Sequence, residues 1–171
     1  SIVLILAFSP GNSSLANTSG TCGNNLTWTL DDSGTLTIYG EGNMQDYFEE
    51  YYNGYERFSP WADYKADIVS VVISEQITSI GDYAFYESNK LATITSKISN
   101  VFDLNTHVFS PSIRPTVYIP LSDKTSYQKK EGWNKFENYI VGWIFEGADI
   151  NNSAMIYKCR TFEKTATLIR L

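Results

Sequence analysis

The amino-acid sequence predicts an α+β fold, in which a short solenoid of about 23-residue repeats is closed by an N-terminal β-hairpin cap and a C-terminal helical cap. The repeat is the strongest signal, because Val71, Ile94 and Val117 follow one another at intervals of 23 residues. A hairpin pattern precedes these positions and a helix-start pattern follows them. A period of this length is typical of stacked units, none of which can bury its apolar side alone.

The start of the sequence is typical of an export signal. Residues 2–8 form an apolar run, Pro10 and Gly11 interrupt it, and the small residues around Ala16 favour cleavage before Asn17. The run is too short to cross a bilayer as a helix. We therefore predict that residues 1–16 are the remnant of a signal peptide, with a buried first strand as the alternative interpretation.

A β-hairpin is predicted over residues 25–40. Leu26, Trp28 and Leu30 alternate with polar residues, a turn pattern follows at residues 31–34, and the apolar alternation then resumes. Burial stabilises such side chains by roughly 1.5–3 kcal/mol each. The apolar side of this hairpin is therefore expected to seal one end of the solenoid.

Helix-start patterns lie on both sides of the repeats. Ser59 followed by Pro60 predicts a short helix over residues 60–65. Ser122 is the expected N-cap of a second helix over residues 123–131, which ends at a glycine. Three aromatic residues at helical spacing come next and are expected to close the far end of the core: Trp133, Phe136 and Tyr139.

Each repeat combines a strand with a return path. The inward strand positions are expected to be Ile68, Val71, Ile73, Leu91, Ile94 and Ser96, and the outward positions Ser70, Val72, Thr93, Thr95, Thr116 and Tyr118. On the return path Gly81 permits a turn, and the pairs Ala84 with Phe85 and Val108 with Phe109 are expected to cap successive layers. Arg114 occupies a position where an aliphatic residue is expected, so the last strand is a degenerate copy, as terminal units often are.

Three segments resemble the BspA-type leucine-rich repeats of microbial surface proteins. VVISEQITSIGDYAFYESNKLATI (residues 71–94) resembles the repeat itself. GTCGNNLTWTLDDSGTLTIYGEGNMQDY (residues 20–47), followed by SPW at residues 59–61, resembles the amino-terminal cap, and VYIPLSDKTSYQKKEGWNKFENYI (residues 117–140) resembles the carboxy-terminal cap. The resemblance implies a leucine-rich-repeat solenoid, display at the cell surface, and attachment to proteins of a host or a neighbouring cell. The family usually stacks more repeats, so the surface that this chain offers to a partner is small.

The predicted organisation follows from these segments. It comprises a signal-peptide remnant (1–16), an N-terminal hairpin cap with an aromatic insertion (17–67), leucine-rich repeats (68–121), a C-terminal helical cap (122–142), and a tail or the start of a further module (143–171).

Charge limits the possible partners. The 171 residues carry a formal net charge of -6. An acidic chain is not expected to bind nucleic acid, because phosphate groups require a basic patch. The mature domain is likewise not expected to insert into a membrane. The expected partner is an extracellular protein or glycan, and the oligomeric state is not predicted.

The first candidate binding region is an aromatic and acidic stretch over residues 47–61. Exposed tyrosine rings give a sugar or a protein a large contact area at little entropic cost. The candidate ligand-binding side chains are Tyr47, Tyr51, Tyr52 and Tyr55. The alternative is that these rings pack on the N-terminal cap, as is expected of Trp61.

The second candidate region is the outward surface of the repeat strands, through which repeat proteins usually bind. Its candidate ligand-binding residues are Thr93, Thr95, Thr116 and Tyr118. The alternative is that these residues only reflect the β-propensity of a solvated sheet.

No catalytic residue, metal ligand or cofactor is predicted. His107 has no cysteine or second histidine nearby in the sequence, and a hydrogen-bonded structural role is expected for it. Glu49 and Glu50 are adjacent, so on a strand their carboxylates would point apart and could not act as a glycosidase pair. Cys22 and Cys159 lie near opposite ends of the sequence and are expected to be unpaired or buried thiols.

The sequence thus predicts an exported, non-catalytic binding or adhesion module of a cell-surface leucine-rich-repeat protein. Two alternatives are a carbohydrate-binding module that uses the tyrosine-rich insertion, and a structural spacer without a ligand. Exposure of the tyrosine rings distinguishes them, because both kinds of binding require exposed rings and the spacer does not.

Overall fold

Residues 18–48, 57–120 and 124–143 are described by the computed structural model, and their regular structure is mostly β. The strands are β1 (Thr18–Thr21), β2 (Leu26–Leu30), β3 (Thr35–Gly40), β4 (Gly42–Asn43), β5 (Ser70–Ile73), β6 (Ile77–Ser79), β7 (Thr93–Ser96), β8 (Thr116–Pro120) and β9 (Tyr139–Trp143). The helical elements of these ranges are α1 (Lys124–Lys129) and a 3-10 turn over Ala62–Tyr64.

Seven strands form one sheet in the order β1-β2-β3-β5-β7-β8-β9. β2 pairs antiparallel with β1 and with β3. From β3 onward every neighbouring pair in this sheet is parallel. β4 and β6 form a separate parallel pair. Strand order in the large sheet follows chain order, so positions along the chain correspond to positions across the sheet.

The register of the parallel strands matches the spacing of the sequence. Val71 lies beside Ile94, and Ile94 lies beside Val117, so the predicted alignment of these three residues is confirmed. The predicted alternation is also observed. The six inward residues are buried, whereas the six outward residues are partly exposed.

A column of aromatic rings fills the space behind the sheet. Trp61 stacks on Phe85 with ring centroids 5.5 Å apart, and Phe85 stacks on Phe109 with centroids 5.1 Å apart. Phe136 then meets Phe109 edge to face at 5.6 Å, and Trp133 lies 6.5 Å from the same ring. The predicted burial of Phe85 and Phe109 is therefore confirmed, and the column connects successive layers of the core.

Gly81 is required by close contact between backbones, and not only by a turn. A Cβ atom at this position would overlap the carbonyl oxygen of Gln45 and crowd the Cα atom of Asp46. The residue does not have a positive φ angle, so conformational freedom is not the reason for glycine here.

The helical elements differ from the sequence-based expectation. The helix expected over residues 60–65 is only the 3-10 turn, which Trp61 precedes without a capping hydrogen bond from its side chain. The hydroxyl of Ser59, expected to cap it, is buried and has no hydrogen-bond partner among the described residues. The helix expected over residues 123–131 is the shorter α1, and its expected cap, Ser122, lies outside the described residues.

Four of the described strands were not expected from the sequence: β1, β9 and the short pair β4 and β6. β1 has the sequence TSGT, which contains no apolar alternation. β9 begins at Tyr139, inside the segment that was expected to form the helical cap, although Trp133 and Phe136 are buried as predicted. The proposed signal-peptide remnant (1–16) and all but the first residue of the tail (143–171) lie outside the described residues.

Candidate functional site

On the solvent side of the seven-stranded sheet, two cross-strand rows of side chains run from the antiparallel strands into the parallel strands, and we call these two rows the outer face. A third row, Thr21, Thr27 and Tyr39, is confined to β1, β2 and β3. Pairing places each residue of a row beside the next on the neighbouring strand. The first row is Ser19, Thr29, Thr37, Val72, Thr95, Tyr118 and Ile140, and the second is Thr35, Ser70, Thr93 and Thr116. All eleven residues are partly or fully exposed.

The residues of the outer face are uncharged and held in place by their neighbours. Thr93 Oγ1 donates a hydrogen bond to Ser70 Oγ at 2.8 Å, across two adjacent strands. The Thr35 and Ser33 hydroxyl oxygens lie 2.9 Å apart. Branching at Cβ restricts the χ1 angle of threonine and valine, and cross-strand pairs of this kind stabilise a sheet by roughly 0.2–1 kcal/mol. The face is therefore a fixed array of hydroxyl and methyl groups.

Four sequence-predicted candidates lie together on the outer face: Thr93, Thr95, Thr116 and Tyr118. The structure extends this group across the antiparallel strands to Ser19, Thr29 and Thr37, and across β9 to Ile140. The threonines of the hairpin alternate with its apolar residues, so the alternation that predicts the buried side of the hairpin also identifies these outward residues.

The tyrosine-rich candidate region changes in the structure. Tyr47 is buried, with an exposed fraction of 2%. Its ring meets Trp61 edge to face at 6.0 Å, and its hydroxyl donates to the carbonyl oxygen of Cys22 at 3.2 Å. A ring enclosed in this way has no free surface for a ligand, so the assignment of Tyr47 as a ligand-binding residue is wrong. Tyr51, Tyr52 and Tyr55 lie outside the described residues.

Cys22 and Tyr47 form a buried pair of weakly acidic groups. Burial raises the pKa of the Cys22 thiol from 9.0 to about 12. Burial also raises the pKa of the Tyr47 hydroxyl, with a smaller contribution from the nearby Cys22 thiolate. Cys22 is a free cysteine, as expected, and both groups stay protonated and neutral near pH 7. Cys159 lies outside the described residues.

The buried thiol predicts a loss of stability at alkaline pH. Above pH 9.0 the Cys22 thiol ionises in the unfolded chain but not in the folded one, whose pKa is about 12. The unfolded state then binds fewer protons, so the free energy of unfolding falls as pH rises through this interval. We expect Cys22→Ala to reduce this pH dependence, as measured by urea unfolding at steps between pH 7 and 11. Equal slopes for the two proteins would contradict the assignment.

His107 is placed differently from the structural hydrogen bond that was expected. Its imidazole is exposed and stacks on the ring of Tyr83, with centroids 4.8 Å apart. Its Nδ1 atom lies 3.7 Å from Asp82 Oδ2, which is too long for a hydrogen bond. Within the described ranges, no group of three or more His, Cys, Asp or Glu residues could hold a metal ion. In the same ranges, no helix has the length and apolar character needed to span a membrane.

Comparison with known proteins identifies one distant structural neighbour. No family model and no curated protein matches the chain. The fold is similar to the crystal structure of a leucine-rich repeat protein from Eubacterium ventriosum, with 20% sequence identity and a TM-score of 0.44. The match covers 74% of this chain and 37% of the other, so the chain spans well under half the length of that protein. This likeness does not by itself assign the chain to a family.

Proposed function

We propose that this chain is a non-catalytic protein-binding module, and that its outer face contacts the partner. The observation that supports the proposal is the absence of charge from all eleven residues of that face, in a protein of formal net charge -6. The centres of protein interfaces are depleted of charged residues. The uncharged outer face has the composition expected at the centre of a protein interface.

Side-chain rigidity also favours binding through the outer face. Each flexible side chain that becomes ordered in a complex opposes binding by roughly 0.5–1.5 kcal/mol. Threonine and valine have few rotamers, and the Thr93 hydroxyl is already bonded to Ser70. The entropic cost of ordering side chains is therefore small when the outer face becomes buried in a complex.

The dimensions of the outer face indicate modest affinity. Seven strands at about 4.8 Å spacing give a width of about 29 Å, and two rows of outward residues give a depth of about 13 Å. The product is about 400 Å², which is half of the roughly 800 Å² that a standard interface buries on each partner. A partner that uses the face alone is expected to bind weakly, with Kd in the micromolar range.

The fold and location form part of the same proposal. We assign the chain to a short leucine-rich-repeat solenoid of the BspA type, with the β2–β3 hairpin as its N-terminal cap and α1 with Trp133 and Phe136 as its C-terminal cap. The 23-residue offset between paired strands supports this assignment. The apolar run at residues 2–8 supports export, and hence adhesion to extracellular or host proteins.

A charge placed on the outer face tests the proposal. We expect the full chain to bind at least one protein in a panel of extracellular-matrix proteins, measured by biolayer interferometry. Thr95→Glu should weaken this binding by about tenfold or more, or at least ~1.4 kcal/mol, because it buries an unpaired charge in the interface. Thr125→Glu makes the same substitution at an exposed position of α1 and should change the Kd by less than about twofold.

The other outcomes identify the alternative functions. Binding to glycans alone, lost in a Tyr51→Ala/Tyr52→Ala variant and retained in Thr95→Glu, would overturn the proposal in favour of a carbohydrate-binding module. If folded protein, shown by a cooperative unfolding transition, bound neither the matrix proteins nor a parallel panel of glycans, a structural spacer would be favoured. Equal weakening by Thr95→Glu and Thr125→Glu would remove the outer face from the proposal.

A further inference from the structure

The two halves of the chain carry opposite charge. Residues 1–89 contain two basic and twelve acidic residues, a formal charge of -10, whereas residues 90–171 contain eleven basic and seven acidic residues, a formal charge of +4. Together they give the net charge of -6, which conceals this asymmetry. Charge asymmetry between halves of a chain often marks an interaction.

The described residues carry the same asymmetry, with nine acidic and two basic residues in 18–48 and 57–89, and seven basic and three acidic residues in 90–120 and 124–143. The sheet topology separates these two groups in space. Because strand order follows chain order, β1, β2 and β3 form one end of the sheet, and β8 and β9 form the other. Asp32 in the β2–β3 turn and Glu41 directly after β3 are exposed at the first end. Lys124 and Lys129 of α1, which connects β8 to β9, are exposed at the second, as is Lys135. We call these the acidic end and the basic end.

Acidic residues at the basic end reduce its positive charge but do not reverse it. Residues 124–143 contain four lysines and two glutamates, Glu131 and Glu137. One of the lysines, Lys130, forms an ion pair with Asp103 at 3.5 Å. At the basic end, Lys135 is exposed as a whole residue, but partial desolvation of its ammonium group and, to a smaller extent, the nearby Arg114 charge lower its pKa. Positive charges are thus close enough together there to repel one another. An acidic surface placed against this end would relieve the repulsion.

Both ends of the sheet also finish in a strand that pairs on one side. In the described sheet, β1 pairs with β2 and β9 pairs with β8, and neither has a second neighbour. The pairing directions show that β1 and β9 run the same way as β3, β5, β7 and β8. Strand edges of this kind offer backbone donors and acceptors to another chain. β9 of one copy and β1 of a second copy could therefore meet as parallel strands.

From these observations we propose that copies of this chain associate head to tail, with the acidic end of one copy docked on the basic end of the next. The partner is a second copy because the complementary charges and the two strand edges are all present on one molecule. The two docked surfaces differ, so the contact is heterologous and leaves a free end at each terminus of the assembly. Association then extends into linear arrays instead of stopping at a dimer. This contact is separate from the outer face and goes beyond the proposed function.

Salt dependence is the first test. Contacts between exposed charges weaken as ionic strength rises, because the Debye length falls from roughly 30 Å at 0.01 M to about 3 Å at 1 M. In sedimentation velocity experiments at low salt, we expect the weight-average sedimentation coefficient of the full chain to rise with protein concentration. At about 1 M NaCl this rise should disappear. A sedimentation coefficient that does not depend on concentration at low salt would overturn the proposal.

Charge reversal at each end gives a stricter test. The first variant, Asp32→Lys/Glu41→Lys, has two basic ends, and the second, Lys124→Glu/Lys129→Glu, has two acidic ends. Each should self-associate at least about tenfold more weakly than the wild-type chain. An equimolar mixture should associate again, because it restores a complementary pair of ends. Circular dichroism and thermal unfolding serve as the controls that both variants are folded.

Net charge separates this mechanism from general loss of solubility. The first variant has a formal charge of -2 and the second -10, by addition to the wild-type value of -6. Lower net charge promotes non-specific association. If association is non-specific, the first variant should associate more strongly than the wild-type chain, whereas head-to-tail docking requires that it associate more weakly. Stronger association by the first variant, or no recovery in the mixture, would overturn the proposal.

Discussion

Replacing Trp61 with alanine is expected to lower the free energy of unfolding by about 3–5 kcal/mol. The indole is fully buried. It stacks on Phe85 with centroids 5.5 Å apart, and it meets Trp28 edge to face at 5.7 Å. Its Nε1–H donates to the carbonyl oxygen of Ala84 at 2.7 Å. Trp28 belongs to the hairpin and Phe85 to the parallel part of the fold, so the substitution removes a contact between them and leaves a cavity.

An effect of this size is a large part of total stability. Small domains unfold with a free energy of about 5–15 kcal/mol, so Trp61→Ala is expected to remove at least about a fifth of it. Urea unfolding followed by circular dichroism measures the loss as a lower midpoint at constant slope.

Two control substitutions separate the contributions at this site. Trp61→Phe keeps a ring in the column but leaves the Ala84 carbonyl without its donor, which should reduce stability by about 1–3 kcal/mol. Phe58→Ala removes a ring that is 44% exposed and should change stability by less than about 0.5 kcal/mol. Equal effects of Trp61→Ala and Phe58→Ala would show that the aromatic column does not stabilise the fold as described.

Replacing Tyr127 with alanine is expected to cost about 3–5 kcal/mol at the opposite end of the core. Tyr127 of α1 is fully buried, and its ring meets Trp133 edge to face at 5.0 Å. Its hydroxyl donates to the carbonyl oxygen of Ile98 at 3.0 Å and lies 2.6 Å from Ser96 Oγ. Because Tyr127 has a single hydroxyl proton, Ser96 must be the donor in the second bond.

A double-mutant cycle tests these hydrogen bonds separately from the ring. Tyr127→Phe keeps the ring but leaves Ser96 Oγ and the Ile98 carbonyl unpaired, at a cost of about 1–3 kcal/mol. Adding Ser96→Ala removes one orphaned group, so the double variant should lose less than the sum of the single losses, by at least about 0.5 kcal/mol. Tyr39→Phe, at a residue that is 44% exposed, is the matched control and should be near neutral. Strict additivity would contradict the described bonding.

The hydrogen bond of Ser96 explains why a serine is tolerated at an inward position of β7. The residue beside it on β5 is Ile73. A buried hydroxyl is destabilising unless it is bonded. The partner comes from α1, which is distant in sequence, so the repeat pattern could identify the substitution but not its compensation.

The outer face could be predicted from the sequence only for the strands that were themselves predicted. Side-chain alternation with a period of two predicts that four residues point outward, and the structure shows all four to be partly exposed: Thr93, Thr95, Thr116 and Tyr118. The extension of the face to Ser19 and Ile140 depends on which strands become neighbours, and TSGT has no pattern that would predict its pairing.

The charge asymmetry, unlike the full extent of the outer face, can be read completely from the sequence, although the net charge of -6 obscures it. It gains a physical meaning once strand order is known, because a chain with crossed connections would have mixed the two halves. Here each strand from β3 onward in the large sheet adds beside its predecessor, so the halves remain apart.

The sequence by itself determined the register of β5, β7 and β8, the inward and outward faces of these strands, and the hairpin of β2 and β3. These features are local or periodic, and a strand's side-chain alternation and a fixed repeat spacing can both be read from the order of residues. Only the tertiary structure decided that Tyr47 is buried, that the segment around Tyr139 forms a strand, and that seven strands share one uncharged face. The environment of a side chain and the neighbours of an edge strand depend on contacts between distant segments, and local sequence patterns do not specify those contacts.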